Sequence, residues 1–146
     1  MKLAVIGFGA ATIGLLRQLS NSNYEIHVFE KAKDIYSSSV SGIRADGKLF
    51  VSNGMGGDID LSLEQQQEVV EYYLAKTEVS RERIEYGNSF GNKQMYRKFY
   101  EKGFEPIQSE FWHIGTDELK NVLSNIYAEF KDISNITFHF SSQVST

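Results

Sequence analysis

The feature that most narrows the fold is an apolar segment that runs straight into a paired-glycine turn. Lys2-Leu-Ala-Val-Ile6 is followed at once by Gly7-Phe8-Gly9. A short run that is apolar on both faces predicts a buried parallel strand. Ala10 to Leu19 then carries Ile13, Leu16 and Leu15 at helical spacing, and the turn cluster Asn21-Ser-Asn23 ends it. Tyr24 to Phe29 predicts a second strand, with Ile26 and Val28 on one face and Phe29 on the other. Strand, helix and strand fit within about thirty residues, the size of a βαβ unit. The competing reading of Leu3 to Leu16 is a signal peptide. Gly7, Gly9 and Gly14 interrupt the run, and no small-residue cleavage site follows it. It is also shorter than the ~20 residues that span a bilayer.

Residues 31 to 60 are rich in turn signals, among them Asp46-Gly47, Asn53-Gly54 and Gly56-Gly57-Asp58. Lys48 to Ser52 can form a short strand between them. Ser62 and Gln65 form a capping box, which predicts a helix to about Thr77. Lys93 to Lys102 predicts another helix, and Phe104 to Ile107 reads as extended. Thr116 is suited to cap a further helix, with Asp117 and Glu118 near its positive end. Leu119, Val122, Leu123, Ile126, Tyr127 and Phe130 recur at helical spacing within it. Ile136, Phe138 and Phe140 alternate with Thr137 and His139, as in a strand at a sheet edge.

The fold class that follows is α/β. A Rossmann-like βαβ unit would be followed by an insertion over about residues 40–112, a helix and a third parallel strand, leaving an incomplete doubly wound sheet. The 146 residues suffice for one domain. A net charge of −4 argues against a nucleic-acid surface. No segment predicts a membrane span. The absence of cysteine excludes a disulfide, a thiolate metal site and a redox cysteine pair. It fits a reducing compartment, and a cytoplasmic location is expected.

The turn Gly7-Phe8-Gly9-Ala10-Ala11-Thr12 has the order of a dinucleotide-binding fingerprint. The first glycine permits the tight turn, and the second lets the backbone approach a pyrophosphate on the helix N-terminus. The third glycine position holds Thr12, which adds volume where helix and strand pack closest and could cost ~1–3 kcal/mol. Glu30 ends the second strand, 23 residues after Gly7, near the spacing expected of an acidic ribose ligand. A carboxylate there accepts hydroxyls and repels a 2′-phosphate, which disfavours NADP. The blander alternative is an ordinary glycine turn with an exposed glutamate.

Three blocks resemble a family: uncharacterised FAD-dependent dehydrogenases related to flavoprotein oxidoreductases of the glutathione-reductase type. They are Val5 to Thr12 with Val28 to Lys31, then Ser41-Gly-Ile-Arg-Ala-Asp-Gly-Lys-Leu49, and His113-Ile-Gly-Thr-Asp-Glu-Leu119. The resemblance implies a flavoprotein oxidoreductase portion that binds FAD, with NAD as the alternative cofactor. Gly7, Gly9, Ala11 and Thr12 would line the pyrophosphate turn. Glu30 would hold the adenosine ribose, with Lys31 beside it. Gly42, Asp46, Gly47 and Lys48 would pack along the flavin side, and Val144 would meet the adenine. Asp46-Gly47 reads equally as a plain hairpin turn, and Val144 as a structural residue.

No catalytic residue is named, because the flavin would supply the redox chemistry. The neighbours of His113, Gly115 and Thr116, read as a loop entering a helix. The three histidines show no metal-ligand spacing, and no metal is expected. Relatives implied by the resemblance are several hundred residues long. The chain therefore reads as an N-terminal portion, a split gene product or a deliberately shortened chain, inactive when isolated. In strand order 3-2-1-4 its first strand would keep an open edge. Self-association, or pairing with a missing C-terminal portion, is expected. A non-catalytic interaction piece is the reading from another class.

Overall fold

A computed structural model describes residues 1–35, 46–55 and 60–145. In chain order the elements are β1 (Lys2–Ile6), α1 (Ala10–Leu19), β2 (Glu25–Phe29), β3 (Lys48–Val51), α2 (Leu63–Leu74), β4 (Glu85–Asn88), α3 (Lys93–Tyr100), β5 (Glu110–His113), α4 (Leu119–Phe130) and β6 (Ile136–His139). A 3₁₀ turn occupies Arg81–Arg83. The chain divides into two compact units. One comprises Met1–Gly47, Lys76–Glu78 and Thr116–Thr146, and the other Lys48–Ala75 and Val79–Gly115.

The first unit is α/β, built on a parallel sheet of order β1-β2-β6. Leu3 pairs with Ile26 and Val5 with Val28, while Ile26 and Val28 pair onward with Ile136 and Phe138. Side chains alternate along a strand, so these six share one face. Ile26, Val28 and Ile136 are buried there. Ile13 and Leu16 of α1 and Leu119, Val122, Leu123, Ile126 and Phe130 of α4 complete the core. Each fully buried aliphatic or phenyl group contributes ~1.5–3 kcal/mol.

The other face holds Lys2, Ala4, Ile6, Glu25, His27, Phe29, Thr137 and His139. β1 departs here from the expected strand buried on both faces, since Ile6 is 70% exposed. Its composition after Lys2 is apolar, but the helical core covers only one side of the strand. Among the described residues β1 pairs with β2 alone, so it is an edge strand.

α4 also starts later than its sequence suggests. Thr116 is not its cap. The chain turns through Thr116–Glu118, and Glu118 takes the cap position without a side-chain capping bond. The Glu118 carboxylate is engaged elsewhere. It accepts from the Glu78 backbone N–H (2.6 Å) and from Asn121 Nδ2 (3.0 Å).

The second unit has an antiparallel sheet of order β3-β5-β4. The capping box predicted for α2 is present in full: Ser62 Oγ accepts from Gln65 N–H, and Gln65 Oε1 accepts from Ser62 N–H. The helix ends at Leu74, short of Thr77. Asn92 Oδ1 caps α3 by accepting from Met95 N–H. Phe104 to Ile107 carries no ladder pairing, which begins at Glu110. β4 and β5 have no equivalent in the sequence reading. Gly87 of β4 lies under the Phe111 ring, and a Cβ there would sit 2.0 Å from Phe111 Cε1. That close approach explains a glycine inside a strand.

Candidate functional site

The site of interest lies where β1 and β2 end, beside the start of α1. Gly7 has φ +84°, in the left-handed region that a side chain would strain. Its N–H donates to Phe29 O (2.8 Å), which ties the turn to the end of β2. Gly9 takes an extended conformation at the N-cap, without a side-chain cap. The first intrahelical bond runs from Ile13 N–H to Gly9 O (3.0 Å). The N–H groups of Ala10, Ala11 and Thr12 thus lack an acceptor within the helix and point along its positive end.

Phe8, between the glycines, is 1% exposed. It packs edge-on against Phe138 of β6 (5.2 Å between ring centres) and Tyr127 of α4 (6.5 Å). The turn is therefore anchored in the core by its middle residue.

Glu30 is the other half of the arrangement. Its side chain is not exposed, as the blander reading of the sequence would have it, for the residue is 93% buried. Oε2 accepts from Phe8 N–H (2.8 Å) and Oε1 from Ala32 N–H (2.9 Å). Its backbone N–H donates to His139 O, and its carbonyl accepts from Ser142 N–H, both at 2.9 Å. Ser141 N–H donates to Ala32 O (2.8 Å), and this residue adopts φ +53°. A non-glycine residue in that region is strained by ~1–3 kcal/mol, and the paired hydrogen bonds at Ser141 and Ser142 hold it there. Glu30 thereby links the glycine turn, the end of β2 and the segment after β6.

Thr12 does not act as the crowding residue its position suggested. It is buried, and its hydroxyl donates to Gly7 O at 2.7 Å. The extra volume is used to satisfy a carbonyl of the turn.

A cleft of about 370 Å³ opens beside these groups, lined by Ile6, Gly7, Phe29, Glu30, Lys31, Ser142, Gln143 and Val144. Gly7, Glu30, Lys31 and Val144 were singled out from the sequence, and they meet here. Gly9, Ala11 and Thr12 stand at the start of α1, outside the lining. Ile6, Phe29, Ser142 and Gln143 were missed as site residues. The signal for the first two was their strand parity, which points both away from the core.

Gly42 and the block Gly56-Gly57-Asp58 lie outside the described residues. Asp46 and Gly47 lead into β3, with Gly47 at φ +69°. Lys48 opens β3 and pairs across the sheet with His113. None of the three lines the cleft. His113 ends β5, and Gly115 and Thr116 after it lie in the loop and turn that lead into α4, as expected. Its Nδ1 lies 3.2 Å from Glu85 Oε2 on β4.

No family model matches the chain, and no curated protein matches it significantly. Among the described residues, no helix is long and apolar enough to cross a membrane.

Proposed function

We propose that the cleft binds the adenosine-diphosphate half of a dinucleotide, and that the dinucleotide is FAD. The observation that carries this reading is the buried Glu30 carboxylate, fixed beside the Gly7–Gly9 turn in one cleft. Each carboxylate oxygen accepts one backbone N–H and keeps further lone-pair capacity. That is what a pair of ribose hydroxyls requires. The open N–H groups at the start of α1 suit a pyrophosphate. Ile6, Phe29 and Val144 offer apolar surface for a purine. The cleft lies outside the carboxyl ends of parallel strands, where ligands of open α/β sheets bind.

NAD shares the same half, so the cleft supports it equally. FAD comes first because the segments Ser41–Leu49 and His113–Leu119 resemble flavoprotein dehydrogenases. When bound, a flavin supplies redox chemistry, and residues of this chain bind and orient the cofactor. An oxidoreductase role belongs to the same proposal, as does self-association through the open edge of β1.

The test is a set of dialysis titrations with FAD, ADP, NAD and NADP. FAD that stays with the protein and is displaced by ADP supports the proposal. NADP should bind at least about tenfold more weakly than NAD, a difference of ~1.4 kcal/mol. NADP competing as well as NAD would remove the ribose role of Glu30. Binding of neither ADP nor FAD would overturn the proposal.

A further inference from the structure

The open edge of β1 has a definite hydrogen-bonding pattern. Met1 O accepts from Glu25 N–H, and Gly7 N–H donates to Phe29 O. The backbone groups of one strand residue share a side, and the side alternates along the strand. The odd-numbered residues of β1 therefore bond to β2. The N–H and C=O groups of Lys2, Ala4 and Ile6 point away from it, and among the described residues no strand meets them.

The usual means of blunting an edge are missing here. β1 has no proline, and its register with β2 runs without a bulge from Lys2 to Ile6. Its one charged residue, Lys2, is turned onto the neighbouring strand, where Nζ donates to Glu25 Oε1 at 3.1 Å.

We infer that the occupant of this edge is β1 of a second copy of the chain, running antiparallel, with the twofold axis at Ala4. The inference rests on the self-association proposed above and gives it a register. Residues directly opposite in a hydrogen-bonded antiparallel pair exchange two bonds. With the axis at Ala4, Lys2 faces Ile6 of the partner copy, Ala4 faces its own equivalent, and Ile6 faces Lys2 of the partner copy. All three residues with outward groups are then paired. A slip of two residues either way leaves only two of these pairs, so the strand is most complementary to itself in this one register.

The side chains agree with it. Leu3 comes opposite Val5 of the partner copy on the core face, joining two half-buried apolar residues in each copy. On the other face no like charges meet, because each lysine lies against an isoleucine. The alkyl stem of Lys2 covers Ile6, which is 70% exposed, while its ammonium group stays on Glu25. The two sheets become one of order β6-β2-β1-β1-β2-β6. Ile6 also lines the cleft, so Lys2 of the partner copy stands at the rim of each cleft.

The chain has no cysteine, which makes single-cysteine variants of the whole protein direct reporters of register. Opposed Cα atoms lie about 5.5 Å apart in such a pair, within the range of roughly 4.4–6.8 Å that a disulfide spans. Under mild oxidation Ala4→Cys should give a disulfide-linked dimer. Lys2→Cys alone and Ile6→Cys alone should not, since their equivalents lie about 14 Å apart at the rise of a strand. The two variants mixed should cross-link to each other. Thr137→Cys, on the exposed face of β6, sets the rate of chance encounter. Ale4 is avoided as a core site: Ala4→Pro removes only an outward N–H, and it should weaken association in sedimentation runs at least tenfold while circular dichroism stays that of the parent. A parent protein that sediments as a monomer at every concentration would defeat self-association itself. A dimer in which Ala4→Cys links no faster than Thr137→Cys, or in which the mixed variants do not link, would keep self-association and overturn this register. ADP titration of the Ala4→Pro monomer reads the cleft separately from both.

Discussion

The two faces of the parallel sheet are made by the same three strands, yet they do different work. Leu3, Val5, Ile26, Val28, Ile136 and Phe138 turn toward α1 and α4, where the core is closed and apolar. Lys2, Glu25, His27 and His139 turn the other way and form a linked polar row. Ile6 and Phe29 continue that second face into the cleft. One face supplies the buried core, and the other borders the cleft through Ile6 and Phe29. Glu30 stands at the junction, spending its carboxylate on the backbone of the turn while bordering the cleft.

That contrast predicts a graded response to substitution. Phe130→Ala should have the largest effect, ~3–5 kcal/mol in denaturant unfolding, because it empties a fully buried site. A loss below ~1 kcal/mol would mean that the core face is not closed as described. Thr12→Val should cost less, ~1–3 kcal/mol, by leaving the Gly7 carbonyl without its donor. It should also weaken ADP binding, whereas Phe130→Ala should weaken it only as far as it unfolds the chain.

Substitutions on the open face should be nearly silent in stability. Thr137→Val should stay within ~0.5 kcal/mol. A larger loss there would erase the distinction between the faces. The smallest effect concerns Glu25. Its hydrogen bond from Lys2, and then that from His27, hold its carboxyl below the ordinary value of 4.5. A lowered folded value means that the contribution is present above the unfolded value and disappears as the pH falls through the folded one. Lys2→Met should therefore flatten the acid limb of the unfolding curve slightly, with its small loss of stability present at neutral pH and vanishing below the folded value. A change in slope centred near neutral pH would contradict this assignment.

Much of the first unit was legible because its signals are local. The strand-turn-helix run, the parity of Ile26 and Val28 against Phe29, and the helical spacing through Phe130 each lie within one stretch of chain. What escaped depends on partners distant in sequence. Thr12 looked too large because sequence gives its volume but not the direction of its hydroxyl. Glu118 looked like a helix-start charge until Glu78 supplied an N–H for it. β4 and β5 lack alternation, and only their pairing across more than twenty residues makes them strands. The Ser141–Val144 segment enters the cleft through hydrogen bonds to Glu30 and Ala32, which no spacing rule encodes.

The central claim is that the cleft at the glycine turn holds an adenosine-diphosphate group. Two-dimensional amide spectra recorded during an ADP titration test it most directly. The account predicts saturable shifts at Gly7, Phe8, Gly9, Ala11, Lys31, Ser142 and Val144, with little change at Thr137 or in α3. Spectra that do not move, or saturable shifts confined to residues away from the turn, would contradict it.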